Sequence, residues 1–362
     1  METKLVFVMV LIIISLIGAI TLVFLKTPQS SPKINLETCN AIKDSQGQHN
    51  IVFFSDKEQA EEYTDYFLSQ SPFNSHKDQF NFYYISDYEP ECKMYKGIAI
   101  LCHSRELIKK AASCPSDYIV VLKDEKRSVR SSAYMNVMSL NINSPKSVFI
   151  HEFGHVFANL ADEYVPASIP RGSENCKSSC EKFDVKDDCS QGCSKDSYFR
   201  SINAGVMRTL SSNNFGLFNE ALILEEIDAK ESSITGNTIS EKTNCNSQQY
   251  YLITGIYEED KLTILSKSLE QGCVSGNGAG AFNIELLDSQ GNKIYSEDFN
   301  PELIFTDAPG QEQIEGQTFE SDKEFYLKSP VISSANQLQI TLDDEILTKQ
   351  PLYDIGRRPC KK

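Results

Sequence analysis

The chain has 362 residues, of which 40% are apolar, so it is long enough to bury a hydrophobic core. Its length indicates about two domains, and its composition excludes an intrinsically disordered protein. The net charge of -15 and the isoelectric point near 4.9 argue against a nucleic-acid-binding surface, because phosphate contacts need clustered Lys and Arg residues that this chain lacks.

The N-terminus contains an uncharged apolar run from Leu5 to Leu25, between Lys4 and Lys26. As a helix this run would be about 31 Å long, which matches the hydrocarbon core of a bilayer. A cleaved signal peptide has a shorter apolar core and a small-residue cleavage site, and the end of this run offers no such site. We therefore predict an uncleaved membrane anchor in residues 1–26, with a cleaved signal peptide or a buried helix as alternatives.

Cysteine usage predicts the compartment of the remaining chain. Eleven cysteines follow the apolar run, at positions 39, 92, 102, 114, 176, 180, 189, 193, 245, 273 and 360. This density is typical of an oxidising compartment, so we expect a single-pass membrane protein whose long C-terminal part lies outside the cytoplasm. The odd count leaves one thiol free, or paired between chains, if all the others form disulfides.

Strands are expected to alternate with helices after a polar linker in residues 27–50. Apolar spacing predicts strands at 51–54, 80–85 and 118–122 and helices at 56–69 and 105–112. This alternation predicts an α/β layer with a mixed sheet. A further edge strand is predicted at 133–140.

The pentapeptide HEFGH places His151 and His155 four positions apart in an apolar helix, on one face. Two imidazoles can bind a zinc ion at about 2.0–2.1 Å, and a third protein ligand completes such a site. Glu152 lies beside this face and could accept a proton from the attacking water as general base. The alternative is that both histidines are ordinary core residues and that the pentapeptide occurs by chance.

A third ligand should follow this helix. On a continuous helix Asp162 would lie about 10 Å further along the axis, too far to share the ion. Asn159 tolerates the left-handed conformation, so we predict a turn there that brings Asp162 back to the metal. The pattern leaves open that Asp162 is a surface acid, or that Glu163 or Glu174 is the ligand instead, although Glu174 lies in a poor helix context.

The motifs HEFGH (151–155) and LADEY (160–164) together resemble the signature of the IgA-metallopeptidase family, a metzincin-like group of exported zinc endopeptidases. The resemblance covers residues 50–230, and the long signature is more specific than the pentapeptide alone. It implies a zincin-like catalytic domain, which we place at residues 51–245.

This resemblance also implies roles for individual residues. It implies that His151, His155 and Asp162 are zinc ligands and that Glu152 is the catalytic base. Family members usually have Gly where Asn159 stands, and Asn supports the same backbone conformation.

A Met-containing turn is implied further along the chain. The resemblance implies that Met207 forms an apolar floor beneath the zinc. Without the resemblance, Met207 would be interpreted as an ordinary side chain that fills space in the core. Residues 215–227 are predicted to form the closing helix of the domain. No tyrosine can be assigned as oxyanion stabiliser, and Tyr164 and Tyr198 remain candidates.

Four cysteines lie between Asp162 and Met207. They could hold a structural zinc ion, but export favours disulfides. If each close pair lies on a helical turn, antiparallel pairing gives Cys176–Cys193 and Cys180–Cys189, one of three possible pairings. We expect the resulting loop to shape substrate access.

The pattern changes to period two after about residue 248. Apolar residues alternate with polar ones at 282–286 and 337–342, which predicts an all-β, Ig-like sandwich at residues 246–345 and a tail at 346–362. Because this domain carries no metal or nucleophile motif, we expect it to have a binding role or to act as a spacer.

The expected function is that of a membrane-anchored, extracytoplasmic zinc metalloendopeptidase whose substrates are proteins or peptides. The alternative is an inactive cell-surface adhesion or scaffold protein with a structural zinc ion and a binding sandwich. Glu152 argues against that alternative, because a structural site needs no base.

Overall fold

The structure is a computed structural model that describes residues 36–232, 244–274, 276–306, 319–320 and 324–352. The predicted anchor at Leu5–Leu25 and the eleventh cysteine, Cys360, lie outside these residues. Within the described part of the chain, no helix has both the length and the apolar character needed to cross a bilayer.

The described residues form a mixed α/β structure with several sheets and few helices. The helices are α1 (Lys57–Ser69), α2 (Arg105–Ala111), α3 (Ser147–Ala158) and α4 (Leu217–Ser232). The strands of the first half are β1 (Asn40–Lys43), β2 (His49–Phe54), β3 (Phe80–Ile85), β4 (Lys93–Tyr95), β5 (Ala99–Leu101), β6 (Tyr118–Lys123), β7 (Ser132–Tyr134), β8 (Val137–Asn141), β9 (Ser190–Cys193) and β10 (Lys195–Arg200). Those of the second half are β11 (Gln249–Glu258), β12 (Lys261–Gln271), β13 (Phe282–Leu287), β14 (Lys293–Phe299), β15 (Leu303–Thr306), β16 (Phe319–Glu320), β17 (Glu324–Pro330), β18 (Gln337–Leu342) and β19 (Glu345–Pro351).

The largest sheet has eight strands in the order β1–β3–β2–β6–β8–β7–β15–β16. Its central strands β3, β2, β6 and β8 are parallel, whereas β1, β7 and β15 are antiparallel to their neighbours. The predicted mixed sheet is therefore confirmed. The predicted first helix is also confirmed, and Asp56 caps α1 by accepting a hydrogen bond from the Gln59 amide at 2.8 Å.

The single edge strand predicted at 133–140 is wrong. The chain turns at Met135, whose φ is +55°, and forms the antiparallel strands β7 and β8. The Asn136 side-chain amide fixes this turn by donating to the carbonyls of Asp117 and Gly276. Strand β7 is not an edge strand either, because β15 pairs with its outer side.

The predicted linker at 27–50 extends too far toward the C-terminus. Within it, β1 pairs with β3, and Cys39 forms a disulfide with Cys114. Glu37 also forms an ion pair with Lys110 of α2. These long-range contacts hold the stretch from residue 36 onward against the sheet, despite its polar composition.

Both faces of the large sheet are covered. Helices α1 and α3 pack on one face through buried aromatic rings, notably Phe67, Phe149 and Phe153. Burial of each such side chain contributes about 1.5–3 kcal/mol, so α3 is held firmly against the sheet. On the other face, α2 packs together with Tyr250 and Leu252 of β11.

The second half of the chain forms two antiparallel sheets, β12–β11–β17 and β14–β13–β18–β19. The alternating residues Ile284, Leu286 and Ile340 point into a core that Ile253 and Leu327 of the other sheet share. Strand β19 extends to Pro351, beyond the predicted boundary at 345. The other predicted domain boundaries stay predictions.

Candidate metal centre

Helix α3 carries the two histidines of the predicted site. All of its residues from Ser147 to Phe157 are buried, and its apolar side chains belong to the core between helix and sheet. His151 and Glu152 are fully buried and His155 is 4% exposed. The helix therefore presents these polar groups to the protein interior, where burial is costly unless the groups have partners.

The predicted turn at Asn159 is confirmed. Asn159 ends α3 in the left-handed conformation, with φ 47° and ψ 35°, and its N–H donates to the carbonyl of Gly154. Its side-chain amide donates to the carbonyl of Arg171 at 2.8 Å. Its side-chain oxygen accepts from Asn300 at 3.0 Å, so the side chain connects three separate parts of the chain.

Beyond this turn the chain brings Asp162 to the two histidines. The Nε2 atoms of His151 and His155 are 3.2 Å apart, and each lies 3.3 Å from Oδ1 of Asp162. Ligands about 2.0–2.1 Å from an ion at tetrahedral angles would lie about 3.3–3.4 Å from one another. The spacing and chemistry of this buried group therefore fit a single zinc ion.

Main-chain carbonyls orient both imidazoles. Nδ1 of His151 donates to the carbonyl of Val206 at 2.9 Å, and Nδ1 of His155 donates to that of Leu160 at 2.6 Å. A neutral imidazole with its proton on Nδ1 keeps the lone pair of Nε2 for a metal. Asp162 is oriented in a similar way, because the Tyr164 hydroxyl donates to its Oδ2 at 2.6 Å.

The electrostatics of the cluster suit a divalent cation. Burial lowers the pKa of His155 and outweighs the opposing effect of Asp162, so the imidazole is neutral at pH 7. Burial acts to raise the pKa of Asp162, but its neighbours His155 and His151 hold that pKa well below its usual range, so the group is a carboxylate. The cluster therefore offers a neutral imidazole at His155 and a carboxylate at Asp162.

Met207 packs against helix α3, and its predicted role as an apolar floor beneath the metal stays a prediction. It is fully buried, and its Sδ lies 2.9 Å from where a Cβ on Gly154 would be. Its carbonyl accepts a hydrogen bond from the Glu163 amide at 2.8 Å. The turn containing Val206 and Met207 thus contacts both α3 and the loop of Asp162.

The two competing acids lie outside the metal-ligating cluster. Oε1 of Glu163 accepts hydrogen bonds from Asn219 at 2.8 Å and Asn175 at 3.3 Å. Burial raises the pKa of Glu163 to about 7, although these hydrogen bonds lower it. Glu174 is largely exposed and pairs with Lys177 at 3.0 Å.

Several residues that hold the site were not predicted. Asn175 and Asn219 bind Glu163 from positions 12 and 56 residues away, and nothing in the local sequence marks them. Gly154 could have been found, because it stands inside HEFGH and a side chain there would meet Met207 and Phe215.

The predicted disulfides of the loop between Asp162 and Met207 are confirmed as Cys176–Cys193 and Cys180–Cys189. The described residues also contain Cys39–Cys114, Cys92–Cys102 and Cys245–Cys273. Cys176 and Cys193 pack with Ala161 beside the ligand loop, and Tyr198 lies against the same cluster. Disulfides at this density are typical of an extracellular or secreted protein.

The space beside the site is small. A cavity of about 10 Å³, roughly the room of one water molecule, lies next to His155. Its walls are formed by Ala133, Tyr134, Met135, His155, Val156, Ala279 and Asn300. The cavity beside His155 is therefore lined by residues from both halves of the chain.

Comparison with the models of known protein families finds no match for this chain, and comparison with curated proteins finds no significant similarity. The resemblance to the IgA-metallopeptidase family thus stays a prediction that rests on the two motifs.

Proposed function

We propose that the chain is a zinc-dependent endopeptidase that acts outside the cytoplasm. The observation that carries this proposal is the convergence of His151, His155 and Asp162 at distances of 3.2–3.3 Å, with Glu152 next to the first ligand on α3. Three protein ligands of this type leave a fourth position open, which is typical of catalytic rather than structural zinc sites.

In this proposal His151, His155 and Asp162 hold the zinc ion, which when bound polarises a carbonyl group and makes water more acidic. Glu152 accepts the proton of the attacking water and passes it to the amine that leaves. The carbonyls of Val206 and Leu160 keep both imidazoles in the tautomer that binds metal.

The proposed location rests on separate observations. The five disulfides support a folded part in an oxidising compartment. The apolar run Leu5–Leu25 supports an N-terminal membrane anchor. The two C-terminal sheets support a β-sandwich domain with a binding or spacer role.

Substitution of Glu152 tests the peptidase proposal. Glu152→Gln leaves the three ligands in place, so we expect stoichiometric zinc in both proteins and at least about 100-fold slower cleavage of a peptide library by the variant. Asp162→Asn is the matched change at a ligand, and it should reduce the zinc content itself. A wild-type protein without zinc would refute the proposal.

One observation favours the alternative of an inactive adhesion or scaffold protein with structural zinc. The cavity beside His155 is too small for a peptide, as expected if the ion only stabilises the fold. In that case both the wild type and Glu152→Gln would contain zinc, and neither protein would cleave any peptide of the library.

A further inference from the structure

The enclosure of the site raises the question of how a substrate would enter. A cavity of about 10 Å³ holds a water molecule, whereas sites for organic ligands have volumes of about 300–1,000 Å³. Asn300 and Ala279, both from the second half of the chain, form part of its wall. A peptide that approached His155 through this cavity would have to displace these residues.

Strand β15 pairs with the edge of β7 that would otherwise be open. Its Phe305 is paired with Ala133 and its Thr306 with Ser132, in antiparallel register, while β8 takes the other side of β7. Ala133 also lines the cavity beside His155. Extended peptides commonly bind proteins by adding a strand to such an edge, so β15 lies where an extended substrate would pair.

The residues before β15 are attached to the metal-site loops. Asn300 donates to the Asn159 side chain at 3.0 Å. Glu302 forms an ion pair with the Arg171 guanidinium at 3.0 Å and accepts from the Arg171 amide at 3.1 Å. Asn159 ends the metal helix, and Arg171 follows the Asp162 loop, so residues 300–306 span from the ligand region to the edge of β7.

We propose that residues 300–306, which we call the strap, are an intramolecular ligand of the β7 edge and keep the metal site closed to extended peptides. Release of the strap opens both the edge and the cavity wall at Asn300. The consequence for cleavage rests on the proposed peptidase function, but occupancy of the edge does not.

Two variants weaken the strap in different ways. Residues of an antiparallel ladder alternate between bonded and non-bonded pairs, so F305P/T306P removes whichever N–H donates to β7. N300A/E302A removes the two side-chain attachments and leaves every strand pairing possible. The matched control is T348P/K349P, which places the same residues in β19, an edge strand of another sheet that pairs with Ile340 and Gln339.

Binding of a peptide provides a test that needs neither zinc nor catalysis. A fluorescent synthetic peptide with the sequence of residues 300–306 is titrated to about 1 mM, the effective concentration typical of a short tether, and anisotropy is recorded. We expect both strap variants to bind it at least about fivefold more tightly than the wild type and the control, a factor that loss of one hydrogen bond can produce. Equal binding by all four proteins, or by none, would overturn the strap proposal.

Cleavage of an unrelated peptide library by the zinc-loaded proteins separates this inference from the proposed function. Faster cleavage by the two strap variants, together with inhibition by the added strap peptide, supports the strap proposal and the peptidase proposal. Peptide binding by the variants without cleavage by any protein supports the strap and refutes the peptidase. Cleavage at one rate by all proteins, with no binding difference, refutes the strap and leaves the peptidase standing. If the proline variant does not fold, N300A/E302A decides the question.

Discussion

Gly154 is the position where close packing of helix α3 is most directly testable. In G154A the new methyl group would lie 2.9 Å from Met207 Sδ, 3.0 Å from Phe215 Cε1 and 3.3 Å from Leu160 Cδ1. All three neighbours are fully buried, so they cannot move away without displacing other core side chains. Overpacking of this kind costs about 1–3 kcal/mol.

The helix propensity acts in the opposite direction. Replacing Gly by Ala within a helix gains about 1 kcal/mol, which leaves a net loss of about 0–2 kcal/mol in the free energy of unfolding. The effect on zinc should be larger, because the displaced turn carries the Val206 carbonyl that orients His151. Loss of such an outer contact weakens metal binding about 10- to 100-fold.

The assay is urea unfolding of the zinc-free proteins, together with zinc affinity by chelator competition. M207V and G154A/M207V complete a double-mutant cycle, because the shorter side chain removes the sulfur that the methyl group would meet. We expect the double variant to be more stable than the sum of the single changes predicts. If G154A alone is about 1 kcal/mol more stable than the wild type, with unchanged zinc affinity, the packing argument is wrong.

Two further predictions concern Tyr164 and His103. Y164F removes the donor to Asp162 Oδ2, so we expect about tenfold weaker zinc binding with a retained fold, measured by chelator competition; unchanged affinity would contradict this. Burial lowers the pKa of His103 to about 3. An unfolded chain with an ordinary His pKa therefore binds more protons below about pH 6.5, and stability is full above that pH and falls as the pH decreases. Because His103 as a whole residue is only partly buried, we expect its titration to cost at most about 2 kcal/mol at pH 5. This loss should be absent in H103F when both proteins are unfolded in urea at both pH values, and equal losses in both proteins would contradict it.

Features that depend on local chemistry could be predicted from the sequence. Asn159 is one such case, because the left-handed conformation it adopts is a property of a single residue. The pairing of Cys176 with Cys193 and of Cys180 with Cys189 was predicted as one of three possible pairings, on the assumption of helical turns, although Cys193 lies in strand β9. The central strands β2, β3 and β6 were predicted because buried strands form largely apolar runs.

Features that depend on distant contacts could not be predicted. The turn at Met135 lies in a largely apolar stretch without Gly or Pro, and part of its support comes from Gly276, far along the chain. A short strand such as β15 carries no local mark of the sheet it joins. The same limit applies to Asn219, which reaches the loop residue Glu163 from helix α4.

The two carbonyl acceptors behind the histidines have a consequence for mutational tolerance. Every amino acid has a main-chain carbonyl, so substitutions at Leu160 or Val206 leave these two hydrogen-bond acceptors chemically intact. Ring orientation is then vulnerable to displacement of the backbone rather than to a change of side-chain identity. Random mutagenesis should therefore find zinc-binding defects at positions that shift the path of the chain. Apolar exchanges of similar volume at Leu160 and Val206 should be tolerated, because both side chains lie in the core.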